Sequence, residues 1–292
     1  MMRYIPILWI ITLLSCDKQI PYDDVNFKPK LVINSFNQSD SLLKIKLDES
    51  FKLLSNPSND KLNSAIKIKL LRDSFNIIDG TFWVVDGEVI LPHKVNDGSR
   101  YYLSAELENY PSIQTNDQVP LDNVSISLDS IKEGLVYYQL NMTIEDPLFE
   151  NYYVLDLSLS GKELILNDSI YKKYPITFSS IDKIFSSSIQ TISEGSKIVL
   201  FDDDLFNGTE KSIGIRIPKD SIDILGFKAY SLNVRLKSVS ESMYNYYIML
   251  IQNNHVFGGP LYFEGQIEGN IDGGLGGFYF YNEYNDSIQY RF

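Results

Sequence analysis

The sequence predicts an all-β protein of two β-sandwich domains, with one packed α-helix in the second. Three observations predict it. Apolar and polar residues alternate with a period of two through many short runs, as in strands with one wet face. Turn-forming residues punctuate those runs at short intervals. Only one stretch, near 238–254, has the three-to-four spacing of an amphipathic helix.

Residues 30–115 make the expected N-terminal domain. Leu43, Ile45 and Leu47 alternate with Lys44 and Lys46, and Ile66, Ile68 and Leu70 alternate with Lys67 and Lys69. Turns are expected at Asn56-Pro57-Ser58-Asn59-Asp60, Asp79-Gly80, Asp86-Gly87 and Asn96-Asp97-Gly98, and further strands at 81–85 and 101–106. Roughly seven short strands in about ninety residues suit a small sandwich of immunoglobulin or transthyretin type. Trp83, inside a strand, is expected to pack in the core rather than bind a sugar. Residues 114–123, with Pro120 among polar neighbours, read as a linker.

The C-terminal domain is expected over 121–292, with strands at 124–128, 136–144, 152–159, 198–200, 213–217, 230–237, 261–264 and 278–281. Ser238 and Glu241 have capping-box spacing, so the helix is expected to begin there. Met243, Tyr246, Tyr247, Leu250 and Ile251 then share one face, and Asn253-Asn254 supplies a stop. The helix is expected to plug one end or face of the second sandwich.

The start of the chain reads as an address. Arg3 is a short basic region, and Ile5 to Leu14 is an apolar run too short to cross a hydrocarbon core of roughly 30 Å as a helix. It ends in Leu13-Leu14-Ser15-Cys16, which resembles a bacterial lipobox. Residues 1–15 are therefore expected to be a lipoprotein signal peptide, Cys16 the acylated N-terminus, and 16–29 a polar tether. The membrane contact expected is the acyl anchor alone.

Composition excludes several chemistries. The chain of 292 residues carries a net charge of -12, which argues against nucleic acid, because phosphate binding needs clustered Lys and Arg. Two histidines, His93 and His255, and the single Cys16 exclude a Cys/His metal centre. His93 is expected in a polar loop and His255 just after the helix, neither beside a Gly-x-Ser-x-Gly elbow. Among 38 acidic residues no glycosidase pair stands out. The expectation is a non-enzymatic protein without a cofactor.

Four features remain as candidates. Asp202, Asp203 and Asp204, followed by Asn207-Gly208, offer oxygen ligands for calcium; the favoured alternative is a solvated loop, since the spacing is not that of an EF-hand. Asp-Ser followed by Ile or Leu recurs at Ser41, Ser130, Ser169, Ser221 and Ser287, similar to an O-glycan acceptor pattern of Bacteroidota envelope proteins, or else turns and caps. The glycine-rich tail with Gly273, Gly274, Leu275 and Phe278 reads either as a partner-contacting loop or as a bulged strand entering the core. The 20 Tyr and 16 Phe are mostly expected inside strands, although Tyr-rich surfaces also bind carbohydrate and protein partners.

Asp146-Pro147 before Tyr152-Tyr153, the run Phe201 to Gly208, Ser242 to Tyr247, Ile271 to Phe278, and Pro29 to Ile33 occur in a fixed order behind the lipobox. This set resembles the domain-of-unknown-function family numbered 4249, lipoproteins of Bacteroidota typically encoded beside TonB-dependent outer-membrane receptors. The resemblance spans nearly the whole chain. It implies an outer-membrane, surface-facing accessory or ligand-capture subunit of a TonB-dependent nutrient uptake system, and it transfers no catalytic residues. The alternatives are a structural surface protein, such as a fimbrillin-like subunit or adhesin, and a glycan- or peptide-processing hydrolase.

Overall fold

The computed structural model describes residues 28–50, 61–165, 168–180, 182, 184–187, 198–222, 227–256 and 269–290. The signal peptide, Cys16, most of the tether, the turn expected at 56–60 and the strand expected at 261–264 lie outside the described residues. The first half contains β1 (Leu31–Gln38), β2 (Leu42–Glu49), β3 (Ala65–Arg72), β4 (Phe75–Trp83), β5 (Glu88–Lys94), β6 (Arg100–Leu107) and β7 (Ile113–Gln118). The second contains β8 (Ser125–Glu133), β9 (Tyr137–Glu145), β10 (Tyr152–Ile165), β11 (Asp168–Pro175), β12 (Ser179–Ser180), β13 (Ile198–Asp202), β14 (Glu210–Pro218) and β15 (Phe227–Val239). The helix α1 (Glu241–Val256), β16 (Ile271–Asp272) and β17 (Leu275–Gln289) follow. The all-β reading with one long helix is borne out.

The strands form three sheets. An eight-stranded sheet runs β11-β10-β15-β17-β1-β2-β5, with β13 also pairing β10. A four-stranded sheet, β12-β14-β9-β8, and a five-stranded sheet, β16-β7-β6-β3-β4, complete the set. Alternation decides which side chains face in. Ile66, Ile68 and Leu70 of β3 meet Leu31, Ile33, Leu43 and Ile45 in one core, while Lys67 and Lys69 stay wet. A second core joins Leu140, Met142 and Ile144 of β9 to Leu155, Leu157 and Leu159 of β10 and to Val234 and Leu236 of β15.

One strand serves both cores. Residues 275–281 of β17 lie parallel to β1, in the register Val32↔Leu275 through Gln38↔Tyr281. The rest of β17 runs antiparallel to β15, from Val239↔Tyr281 to Ser231↔Gln289. Phe278 and Phe280 accordingly pack in the first core, although sequence order places them with the second half. The parallel step needs glycine. Gly276 has φ +88°, and a Cβ there would stand 2.0 Å from the Ile33 carbonyl oxygen. The helix covers the other face of the large sheet, where Met243 and Tyr244 bury against Val154, Leu200, Val239 and Tyr279. No helix among the described residues is long and apolar enough to cross a membrane.

Several local expectations are corrected. The helix is capped by Ser240, whose Oγ accepts the Met243 N–H at 3.3 Å, and not by Ser238, which is buried in β15. The helix continues past Asn253-Asn254 to Val256, so His255 falls in its last turn. Residues 114–118, the first part of the expected linker 114–123, belong to β7; its inward positions include the polar Thr115 and Asp117, which erase the apolar alternation. His93 belongs to β5 rather than to a loop. Trp83 is 65% exposed, because Phe82 takes the inward position beside it.

Candidate functional site

Among the described residues, the outward face of the five-stranded sheet forms a concave surface that could take a ligand. Inward residues of β6 (Tyr101, Leu103, Ala105) fill the core, which turns Tyr102 and Ser104 outward. The register then sets two adjacent cross-strand rows. Leu71, Tyr102 and Asn116 align in one, and Lys69, Ser104, Gln114 and Asp272 in the other. Together with Asn270 they line a concavity of about 510 Å³. The Tyr102 side chain is 40% exposed within it.

The rim is held in place. Arg100 donates from Nη1 to Asn116 Oδ1 at 3.0 Å and from Nε to Gln118 Oε1 at 3.2 Å. Asn270 pairs with the Phe278 backbone in both directions, at 2.7 and 2.9 Å, and its carbonyl accepts the Thr115 hydroxyl at 2.7 Å. One lysine and one carboxylate flank a ring, a hydroxyl and three amides, so the concavity can both donate and accept hydrogen bonds. It holds no histidine. His93 instead contacts the Tyr101 hydroxyl at 2.9 Å, and burial followed by the Arg72 charge lowers its pKa.

The acidic run Asp202 to Asp204 serves a different end. Asp203 points inward, fully buried, and accepts the Asn151 N–H at 2.9 Å. Asp146 accepts the Tyr153 hydroxyl and, at 2.9 Å, the Gly208 N–H. Phe201 and Phe206 lie against the Tyr153 ring with centroids 5.1 and 6.3 Å away. The Asp146-Pro147 turn and the Phe201 to Gly208 loop are thus one buried brace. Burial and the Asp146 charge push the Asp203 carboxyl up to about 6, and burial raises Asp146 as well. Asp204 faces solvent and Asp202 is half-buried, so the three carboxylates diverge. Among the described residues no group of three or more His, Cys, Asp or Glu is placed to hold a metal ion.

A third buried acid links sheet and helix. Asp117 is 6% exposed, its Oδ1 accepts the Ser242 hydroxyl at 2.6 Å, and its Oδ2 has no hydrogen-bond partner among the described residues. Burial pushes its carboxyl up to about 6, against the opposing pull of the Ser240 and Ser242 hydroxyls. No sequence signal marked this residue, because an Asp in a Gln/Asn/Asp-rich segment reads as surface.

The other predicted residues scatter. Gly273, Gly274 and Leu275 approach or enter β17, where a Cβ on Gly273 would meet the Ser112 carbonyl oxygen at 2.3 Å, and Phe278 is buried. Ser41 lies in the turn before β2 and donates to the Gln38 carbonyl at 2.5 Å, and Ser130 accepts from Asn141 at 3.2 Å. Ser221 bonds Thr177 at 2.8 Å, and Ser287 is exposed on β17. The Ser169 side chain lies outside the described residues, and so does Cys16. These positions are not brought together.

No curated protein sequence matches the chain. A candidate carbohydrate-binding protein of Bacteroides uniformis, known from its crystal structure, aligns at 10% identity over 72% of this chain and 89% of its own, with a TM-score of 0.19. A mutant alpha-2-macroglobulin of Salmonella aligns at 10% identity over 73% of this chain but only 14% of its own, with a TM-score of 0.25. Neither likeness is close enough to carry an argument. The family match is of another order: the model of the domain of unknown function DUF4249 covers residues 17–287, and the chain belongs to that family.

Proposed function

We propose that the protein is a non-enzymatic lipoprotein of the outer membrane, held by acyl groups on Cys16, which captures a ligand for a TonB-dependent receptor. The observation that carries the capture role is the polar concavity around Tyr102, an open surface lined by groups that donate and accept hydrogen bonds. The anchor is supported by the lipobox, and the family domain begins at residue 17, directly after Cys16. A tether of about thirteen residues would keep the face within nanometres of a receptor, which raises its effective concentration there.

The strand-donation alternative draws no support from β1. That strand pairs with β17 on one side and β2 on the other, so removing it would split the large sheet at its centre.

The test is affinity purification from detergent-solubilised membranes after mild crosslinking of whole cells. Co-purification of a TonB-dependent receptor with the wild type, together with loss of the acyl mass and of membrane retention in Cys16→Ser, is the expected result. A wild-type chain recovered alone, or a Cys16→Ser chain still bound to the membrane, would refute the proposal.

A further inference from the structure

We infer that the outward face of the five-stranded sheet binds a neutral oligosaccharide, laid across β3, β6, β7 and β16 over the ring of Tyr102. The inference names the ligand class of the face already described, and it rests on the capture reading only for its biological setting.

The first argument is the chemistry of the lining. A pyranose ring has an apolar face of C–H groups and an edge of hydroxyls that both donate and accept. An exposed aromatic ring bordered by amides and a hydroxyl matches both parts, and Tyr102 stands between Asn116 in its own row and Ser104 and Gln114 in the next. The second argument is charge. Lys69 and Asp272 lie in the same row with Ser104 and Gln114 between them, and elsewhere on the face Lys67 and Arg100 are offset by Glu106 and Asp79, so cations and anions balance. A phosphorylated or sulfated ligand calls for clustered cations, and a cationic one for an excess of carboxylates. Balanced charge with several uncharged hydrogen-bonding groups suits a neutral polyol.

The third argument is shape. The row from β3 to β16 crosses three strand spacings of about 4.8 Å, or roughly 14 Å, which is long for a monosaccharide and suited to a chain of sugars. A second exposed ring, Trp83, stands on the same outward face of this sheet, in register with Ala65. The rim is already ordered by the Arg100–Asn116 bond and by the Asn270 bonds to the Phe278 backbone, so binding does not have to freeze it.

The test uses the full-length protein in detergent and a panel of neutral hexasaccharides with glucose, xylose, mannose and galactose backbones, read by isothermal titration. At least one hexasaccharide is expected to bind with a Kd of about 1 mM or tighter, and its monosaccharide more weakly. Tyr102→Ala should weaken binding roughly ten-fold, while Tyr102→Phe, which keeps the ring, should retain most of it. Circular dichroism separates lost binding from lost fold. Silence across the panel, preference for a hexagalacturonate, or an affinity unmoved by both Tyr102→Ala and Gln114→Ala would overturn the inference. The two proposals fail separately. Receptor co-purification without glycan binding sinks only the ligand class, and glycan binding without a receptor sinks only the uptake role.

Discussion

Asp117 makes the stability of the protein depend on pH in a direction opposite to that of a salt-bridged carboxylate. Its carboxyl is pushed from the ordinary 3.8 up to about 6, chiefly by burial. Well below pH 3.8 it is protonated in the folded and unfolded chains alike, and contributes nothing to the difference between them. As the pH rises the unfolded chain releases its proton first. Above about pH 6 both forms are ionised, and the folded one carries the full penalty of a buried charge. The interval from 3.8 to about 6, at about 1.4 kcal/mol for each pH unit, amounts to roughly 3 kcal/mol of stability lost on going from acid to neutral pH. Asp117→Asn removes that ionisation and preserves an oxygen to accept the Ser242 hydroxyl. The new amide has its own packing cost, but that cost does not change with pH. The measurement is urea unfolding of wild type and variant at several values between about pH 4 and pH 8. The variant should gain on the wild type by roughly 2.5 kcal/mol across that range, or several degrees in Tm for a chain of this size. The raised carboxyls of Asp146, Asp202 and Asp203 are common to both proteins and drop out of the comparison. Parallel curves, or a variant that loses ground as the pH rises, would refute the reasoning.

Two further substitutions probe the scaffold. Gly276→Ala would drive a Cβ to 2.0 Å from the Ile33 carbonyl oxygen at a φ of +88°, so it should destabilise by more than about 3 kcal/mol in denaturant melts. Gly80→Ala is the control, since its Cβ would meet nothing nearer than Phe82 at 3.8 Å, and an equal loss there would discount the parallel β1–β17 junction as the cause. Tyr153→Phe deletes the hydroxyl that donates to Asp146 inside a buried site and should cost about 1.5–3 kcal/mol by the same melts; an unchanged midpoint would show that the brace contributes nothing.

What the sequence made legible was whatever alternates. Leu43, Ile45 and Leu47, or Ile66, Ile68 and Leu70, announce their strands because each inward position is aliphatic and each neighbour is lysine. Strand β7 is hidden in the sequence because its inward positions read Ile113, Thr115, Asp117, and a buried Thr and Asp look like loop residues until their partners, Asn270 and Ser242, arrive from more than a hundred residues away. Ser238 and Ser240, two residues apart, can both cap a helix in sequence terms, and only the end of β15 at Val239 decides for Ser240. Hydrophobicity alone points Trp83 inward, whereas the pleat gives that place to Phe82. The proposed ligand face is the least legible part. Lys69, Tyr102, Gln114 and Asp272 come from four strands, and only the register makes them neighbours.

The family's ordered motifs have a common physical explanation. Residues 29–33 and 271–278 meet along the parallel β1–β17 step, residues 242–247 lie on the helix that covers that junction, and 146–153 with 201–208 form the buried brace. Each of these segments is constrained by close backbone approach, a buried acid or an aromatic contact, so each is a place where substitution is expensive to the fold. The concavity around Tyr102 draws on those segments only at Asp272; Lys69, Ser104, Gln114 and Asn116 point outward from regular strands, where side chains can change without disturbing a core. In this arrangement the junction and the brace are fixed by packing, while the outward face of β3, β6 and β7 is not. The residues that carry the family resemblance are therefore mostly ones the fold requires, and the proposed ligand face has to be tested separately, on the outward side of β3, β6 and β7.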